Sequence, residues 1–372
     1  MNYWLIDVIS VVVLCVLFTG VLIPQILLVA FRRDLFDEPN ERKIHHSKVP
    51  RLGGIAFTPV ICFSISLILG VNLLCGSTSL EDAMSDIAIQ NAFGFCALFI
   101  LYLVGMADDL VGVRYIAKFV LQIVCAILLI AGGLCVNDLH GVLWIYHIPP
   151  IVGALFTILA VIYIINAINL IDGIDGLASG LSIAATFIYG VAFYCLRCYV
   201  DSLIAFATLG VLLPFFYFNV FGDAEKKKKI FMGDTGSLTI GLLLAFLSLD
   251  LYLAASAAKE APNFDLNPFV LAFAPLIIPC FDVVRVFLRR MRHHKHPFLP
   301  DKTHIHHKLM ALGLDTRLTM VTLITISILV SLINIWLSLY VNATLLLILD
   351  IAVWCLVNMW ITMKINKTNS NF

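Results

Sequence analysis

Apolar runs of about 20 residues recur along the chain, each closed by a short polar break. A run of that length, wound as a helix rising 1.5 Å per residue, spans the ~30 Å hydrocarbon core of a bilayer. The pattern predicts eleven such spans, at 8–30, 53–75, 88–107, 115–136, 149–170, 177–197, 202–221, 237–257, 267–288, 320–341 and 344–363. The breaks carry turn formers: Asp-Glu-Pro-Asn at 37–40, Gly-Ser-Thr-Ser at 76–79, and Pro149-Pro150 ahead of a new run. Pro24, Pro59, Pro214, Pro275 and Pro279 fall inside spans, where neighbouring helices can re-satisfy the carbonyls a proline frees. The expected architecture is an all-α polytopic membrane bundle forming one domain over 1–372. The first run is long and lacks a basic leader, so it reads as an uncleaved span.

Composition agrees and excludes a soluble domain: 61% of residues are hydrophobic, 13% are charged, and mean hydropathy is +1.00. Lysines and arginines equal acids at 24 each, so bulk charge implies no nucleic-acid partner. Their distribution says more. Of the 24 basic residues, 21 fall in the connections 31–52, 108–118, 222–236 and 289–319 and in the C-terminal tail. The connection 171–176 lies on the same side and holds none, while the opposite side holds only Arg197 and Lys259. Basic loops stay in the cytoplasm, which predicts an outside N-terminus and a cytoplasmic C-terminus. The ten cysteines lie mostly in apolar runs and read as small hydrophobes.

Every polar motif falls on that same basic side, in loops 31–52, 108–118, 166–180, 222–237 and 289–319. Asn166-Ala-Ile-Asn169-Leu-Ile-Asp172-Gly-Ile-Asp175-Gly176-Leu-Ala-Ser179-Gly180 sits between two spans. A turn explains its glycines but not two carboxylates, which are costly at a membrane boundary. The three-residue spacing of Asp172 and Asp175 puts both on one face of a helix start, and the glycines leave room for a ligand. Asp108-Asp109 ends an apolar run, where one carboxylate could act as base and its neighbour position the attacking group. Phe231-Met-Gly233-Asp234-Thr235-Gly236-Ser237 opens the eighth span. Asp, Thr and Ser there suit helix caps, yet a helix N-terminus is also an anion site, and Asp234 could hold a Mg²⁺ bridging to phosphate. Lys226–Lys229 reads as a lipid-headgroup anchor. Six of the ten histidines crowd into 293–307. His304, His306 and His307 suit phosphate contact better than zinc, since lysines and arginines flank them. In His45-His46-Ser-Lys48-Val-Pro50-Arg-Leu-Gly53-Gly54, Lys48 counts as a substrate contact and the glycines permit close backbone approach to a ligand. If Asp108, Asp109, Asp172, Asp175 and Asp234 converge, two carboxylates ~5 Å apart repel by roughly 3 kcal/mol at an effective dielectric of 20. A divalent metal with a phosphorylated, lipid-linked substrate relieves that repulsion.

These motifs, in this order, resemble the polyprenyl-phosphate N-acetylhexosamine-1-phosphate transferases. The resemblance runs from Pro50-Arg-Leu-Gly-Gly54 through Asp108-Asp109, 166–178 and 231–237 to His304-Ile-His-His307. His-Ile-His-His looks like the branch that uses UDP-GlcNAc, and the muramoyl-pentapeptide branch shows a different histidine pattern. The resemblance implies a Mg²⁺- or Mn²⁺-dependent reaction of UDP-HexNAc with undecaprenyl phosphate in a bacterial inner membrane, giving undecaprenyl-diphosphate-HexNAc and UMP. It implies a first step towards lipopolysaccharide O-antigen or teichoic acid. By the same resemblance Asp234 is the metal ligand, Asp108 base or nucleophile, Asp109 its neighbour at the lipid phosphate, and Lys118 a phosphate contact. Asn169, Asp172 and Asp175 form the nucleotide and metal pocket, Phe231 stacks on uracil, Asn219 lies on the uridine side, and His304, His306 and His307 contact pyrophosphate. UDP-MurNAc-pentapeptide, UDP-GalNAc and UDP-QuiNAc or UDP-FucNAc are alternative donors, and a homodimer stays open. An ion-coupled transporter is the reading from another class, but its site would sit near mid-membrane, whereas these acids sit at span ends.

Overall fold

The computed structural model describes residues 3–36, 49–75, 78–259, 264–294 and 303–370. It is all-α, with no β-strand among the described residues. The helices are α1 (Tyr3–Arg32), α2 (Phe57–Leu74), α3 (Thr78–Val111), α4 (Tyr115–Ala131), α5 (Pro150–Ile171), α6 (Leu177–Cys195) and α7 (Tyr199–Val220). They continue as α8 (Gly233–Ala258), α9 (Pro268–Phe273), α10 (Ile277–Arg292), α11 (Ile305–Ala311), α12 (Thr316–Leu337) and α13 (Ala343–Ser370). Ten segments are long and apolar enough to cross a membrane, and α4, at 17 residues, is the shorter eleventh. The span expected at 267–288 is broken: α9 and α10 join through a 3-10 turn at Ala274–Leu276. Pro275 at its centre has no N–H to give to the helix ladder.

α8 is the axis. Its apolar residues point in all directions rather than along one stripe, and a helix of that kind is stable only when surrounded. From Thr235 to Tyr252 every residue is buried, against α3, α5, α6 and α9. α1 and α13 lie at the rim with long apolar side chains outward, such as Leu17 and Val21 or Ile348 and Leu356. Water gives no hydrophobic drive between helices in a membrane, so small residues that bring backbones together matter more. Gly54 lies on the backbone of Gly236, and Gly105 on that of Thr235, where any Cβ would collide. Both contacts fall at the N-terminal end of α8, so the glycines fix the distance at which α2 and α3 meet it. Pro50–Gly54 is laid along 231–232 by three backbone hydrogen bonds: Phe231 N–H to Pro50 O at 2.9 Å, and Gly53 and Gly54 N–H to Phe231 and Met232 O at 3.0 Å each. The paired glycines thus pack on the chain itself, Gly54 on the start of α8 and Gly53 on the Phe215 ring and the Phe231 carbonyl.

Candidate active site

The C-terminal ends of α3 and α5 and the N-terminal end of α8 meet at one boundary of the bundle. A helix leaves its first N–H groups without partners. At α8 no side chain of its own first turn caps them. Asp109 does so from α3: Oδ1 accepts from Asp234 N at 2.7 Å, and Oδ2 from Thr235 N at 2.8 Å and Thr235 Oγ1 at 2.5 Å. Asp109 therefore joins α3 to α8, and both its oxygens are committed. Charge-assisted bonds of this kind are worth about 1.5–3 kcal/mol each.

Asp108, one residue earlier, faces the other way. Its Oδ1 accepts from Val113 N at 2.6 Å and its Oδ2 from Lys118 Nζ at 2.9 Å. The same ammonium reaches Asp234 Oδ2 at 3.2 Å. Asn169 Nδ2, from the end of α5, holds Asp234 Oδ1 at 2.7 Å and lies 2.7 Å from Ser237 Oγ. Side chains spread over more than 120 positions thus form one continuous chain, Asp108–Lys118–Asp234–Asn169, in which Asp234 keeps the largest exposed fraction of the three charged groups, 31%.

Asp172 and Asp175 lie in the turn between α5 and α6 rather than on a helix start, since α6 begins only at Leu177. The turn needs Gly176 at φ 77°, a region β-carbon-bearing residues rarely occupy. Asn219 fixes it, accepting from Gly176 N at 2.6 Å and donating to Ile230 O at 2.9 Å. That buried amide is spent on the fold, behind the site. The glycines of the turn are packed: Gly173 lies on the His306 ring, Gly176 on Met320 and Val220, and Gly180 on Ile324. Asp175 Oδ2 accepts from Lys229 Nζ at 2.6 Å. Lys229 also stands 5.9 Å from the centre of the Phe231 ring, so the last lysine of the basic run belongs to the site and not to a headgroup anchor. Asp172 exposes its side chain, with the charges of Asp175 and Asp234 acting on it. Desolvation, followed by the charges of Asp175 and Asp234, pushes its carboxyl up to about 7.

The histidines arrive from a separate quarter. Asp282, fully buried on α10, holds three groups: His304 Nδ1 at 2.8 Å, Ile305 N at 2.9 Å and Arg285 Nη2 at 2.8 Å. Arg285 also donates to Thr303 O. His304 and His306 lie below the surface, and His307 is half-exposed beside them, its ring 4.2 Å from that of His306. Neither nitrogen of His306 finds a hydrogen-bond partner among the described residues. Burial and the neighbouring His307 push its conjugate acid down to about 3, so the ring is neutral. Of the expected residues, Asp108, Asp109, Lys118, Asn169, Asp172, Asp175, Phe231, Asp234 and the three histidines share this boundary. Lys48 lies outside the described residues, as do Lys295 and His296. Asp282, Arg285 and Lys229 are the site residues that sequence reasoning misses. The first two carry a usable signal, an acid and a base three apart inside an apolar span.

The donors present suit a hard divalent cation. Four carboxylates (Asp108, Asp172, Asp175, Asp234) face two directly paired ammonium groups, Lys118 and Lys229, with Arg51 acting on Asp172 at longer range. No three ligands close into a cage among the described residues. A Mg²⁺, which takes one or two carboxylates and fills its shell with phosphate and water, would be held here by Asp234 with Asp172 beside it.

A family model for glycosyl transferase family 4 matches residues 92–252. The chain is 31% identical to the undecaprenyl-phosphate alpha-N-acetylglucosaminyl 1-phosphate transferase of Pasteurella multocida, over 78% of this chain and 75% of that one. It is 30% identical to the protein of the same name from Haemophilus influenzae, over 76% and 74%. It is 29% identical to a probable undecaprenyl-phosphate N-acetylglucosaminyl 1-phosphate transferase of Bacillus subtilis, over 89% and 87%.

Proposed function

The chain belongs to glycosyl transferase family 4, and from that premise we propose that it transfers N-acetylglucosamine 1-phosphate from UDP-GlcNAc to undecaprenyl phosphate. The products are undecaprenyl-diphosphate-GlcNAc and UMP. The reaction runs at the cytoplasmic face of a bacterial inner membrane, as the first membrane step of a cell-surface polysaccharide. The observation that carries this reading is the Asp108–Lys118–Asp234–Asn169 chain, assembled from four helices at one boundary. The acceptor's phosphate oxygen attacks the β-phosphorus of the donor, and the bond from that phosphorus to the bridging oxygen of UMP breaks. A bound Mg²⁺ would neutralise the phosphate oxygens and the leaving UMP. Lys118 sits between the carboxylate beside the attack and the one that would bind metal, so its charge can pass to the transferring phosphoryl group as Asp108 is released. Phosphoryl transfer is catalysed mainly by such positioning and charge stabilisation. Asn169 fixes the rotamer of Asp234, Lys229 and Phe231 line the donor side, and His307 offers an imidazole towards the diphosphate. An apolar cavity of about 580 Å³ between α5, α9, α10, α12 and α13, lined by Phe156, Tyr163, Phe269 and Phe281, holds none of these polar groups. Its walls suit an isoprenoid chain and support a lipid acceptor.

The test is to incubate membranes containing the protein with Mg²⁺, undecaprenyl phosphate and a panel of UDP-sugars, and to weigh the lipid product. The expected product is undecaprenyl diphosphate carrying one GlcNAc. A product from UDP-MurNAc-pentapeptide, UDP-GalNAc or UDP-QuiNAc instead would overturn the donor, and no lipid product from any donor would overturn the reaction.

A further inference from the structure

The C-terminal half of α10 carries two parallel stripes on its outer side. Val284, Leu288 and Met291 recur at positions i, i+4 and i+7, and all three are exposed. Arg285, Arg289 and Arg292 each follow one residue behind, which at about 100° per residue sets a basic stripe beside the apolar one. Asp282, Val286 and Arg290 bury the remaining side, where α10 packs on α5 and α12. Together α10 and α11 hold four arginines and one lysine against a single acid, Asp282. That acid is already spent on His304, the Ile305 N–H and Arg285. Arg289 and Arg292 make no ion pair among the described residues. We propose that Arg289 and Arg292, with Lys308 beside them, bind the phosphate of an anionic phospholipid of the surrounding leaflet, one acyl chain lying along Val284, Leu288 and Met291.

Lys308 feels the imbalance of charge. Its ammonium is held to α13, donating to Thr362 Oγ1 at 3.0 Å and to Asn358 Oδ1 at 3.3 Å. Burial, then the charges of Arg285 and Arg289, push it down to about 8 although Asp282 opposes them. These cations therefore stand close enough to repel, and α10 and α11 have no second acid to separate them. A merely solvated basic face needs no order of this kind. An arginine fork matches the oxygens of a phosphate, and a basic amphipathic helix lies at the headgroup boundary with its apolar side among acyl chains. A headgroup anion between Arg289 and Lys308 relieves the repulsion that Asp282 leaves. It also steadies the histidine segment, because Arg285, on the same stripe, donates to Thr303 O and shares Asp282 with His304. The occupant is a diacyl phospholipid rather than the acceptor. On the reaction proposed above, which this exclusion rests on, the acceptor's phosphate has to reach Lys118 and Asp234 on α4 and α8. Its chain has a cavity of its own, lined by Ile277, Cys280 and Phe281 on the earlier turns of α10.

The site is tested on the full chain in detergent, without substrate, by intact-protein mass spectrometry. The protein is first equilibrated with equal amounts of phosphatidylglycerol and phosphatidylcholine of the same acyl chains. Wild type should retain phosphatidylglycerol preferentially and melt at a higher temperature with it. Each basic residue near an anionic lipid surface is worth about fivefold, so Arg289→Gln combined with Arg292→Gln should lower that preference by about 25-fold. Both side chains are exposed, and an unchanged melting temperature without lipid checks that the double variant folds. Lys226→Gln combined with Lys228→Gln, exposed on another loop, should keep the wild-type preference. Equal retention of the two lipids by wild type would overturn the site, as would a full preference in the arginine double variant. An equal loss in the lysine double variant would mean that surface charge at large, and not this face of α10, selects the lipid. Displacement of phosphatidylglycerol by undecaprenyl phosphate, one for one, would give the face to the acceptor and overturn the phospholipid. None of these readings depends on lipid product, so their outcome is separate from that of the transferase assay.

Discussion

The acidic half of the site and the histidine half are held in place by opposite means. Asp108, Lys118, Asp234 and Asn169 hold one another, each using functional atoms as its support. His304–His307 is held from behind by Asp282 and Arg285, which face away from the cleft. A self-supporting cluster is disturbed by losing any member, because each removal frees a charge in its neighbour. A segment held from behind tolerates change at its tip but not at its anchor. Removing one member from each half, and then from the contact between them, tests that difference.

The largest effect is expected in the acidic half. Asp234→Asn removes the best-placed metal ligand and one end of the Lys118 bridge. Product formation should fall by about 10³-fold or more, the scale for losing a group that stabilises transition-state charge, with the protein still inserted and folded. Normal turnover of Asp234→Asn with Mg²⁺ would remove Asp234 from the metal site. The related question of Asp108 is open to a kinetic measurement. Exchange of labelled UMP into UDP-GlcNAc without acceptor would show a covalent intermediate on the enzyme, and its absence is expected for direct attack by the lipid phosphate.

In the histidine half the anchor should outweigh the tip in stability, though not in chemistry. Asp282→Asn leaves Arg285 without its charge partner in a buried place. Breaking a buried pair from one side costs about 3–5 kcal/mol, so the melting temperature in detergent should drop by several degrees. His307→Ala should leave it unchanged while lowering kcat by about 10²-fold. Equal melting temperatures for the two variants would refute the division between anchor and tip.

Between the halves lies Lys229, whose bond to Asp175 ties the loop before α8 to the turn after α5. The pair is neither exposed nor fully enclosed, at 14% and 23%, so its worth should be modest. Lys229→Ala is expected to raise the KM for the nucleotide sugar by about three- to tenfold with kcat nearly constant, the signature of lost uniform binding. A fall in kcat at unchanged KM would instead make Lys229 part of the transition-state apparatus.

Spans and motifs were legible in the sequence to the degree that each rests on local pattern. Apolar length located the helices long enough to cross a membrane, and span-end aspartates located the boundary at which the candidate site's carboxylates gather. What stayed hidden depends on tertiary partners. Asp109 and Asp234 are equally suggestive in one dimension, and only the packing of α3 on α8 makes Asp109 a helix cap. Asn219 reads as a ligand contact until the turn it supports is seen. Lys229 is indistinguishable from Lys226–Lys228 by composition, and only the approach of Asp175 sets it apart. Asp282 was findable, since a carboxylate within a span calls for a partner, but its partner His304 lies across a loop that no periodicity connects to it.

The smallest predicted effect concerns Asp172, which touches both halves through the turn it shares with Gly173. Its carboxyl stands at about 7 in the folded chain, against about 3.9 for an unperturbed aspartate. Below the lower value both states carry the proton and the residue is neutral in the balance. Between the two values the folded chain holds more proton than the unfolded one, so stability falls as pH rises, and the penalty is fully present only above about 7. The metal-free protein should therefore lose melting temperature between about pH 5 and pH 8, and Asp172→Asn should lose less over the same interval. Saturating Mg²⁺ with nucleotide should flatten the wild-type curve towards that of the variant, because a cation beside Asp172 lowers the pKa that creates the penalty. Identical pH profiles for wild type and variant would mean that the crowding of Asp172 by Asp175 and Asp234 is already relieved by water in the open cleft, and that the acidic half tolerates its charge without a metal.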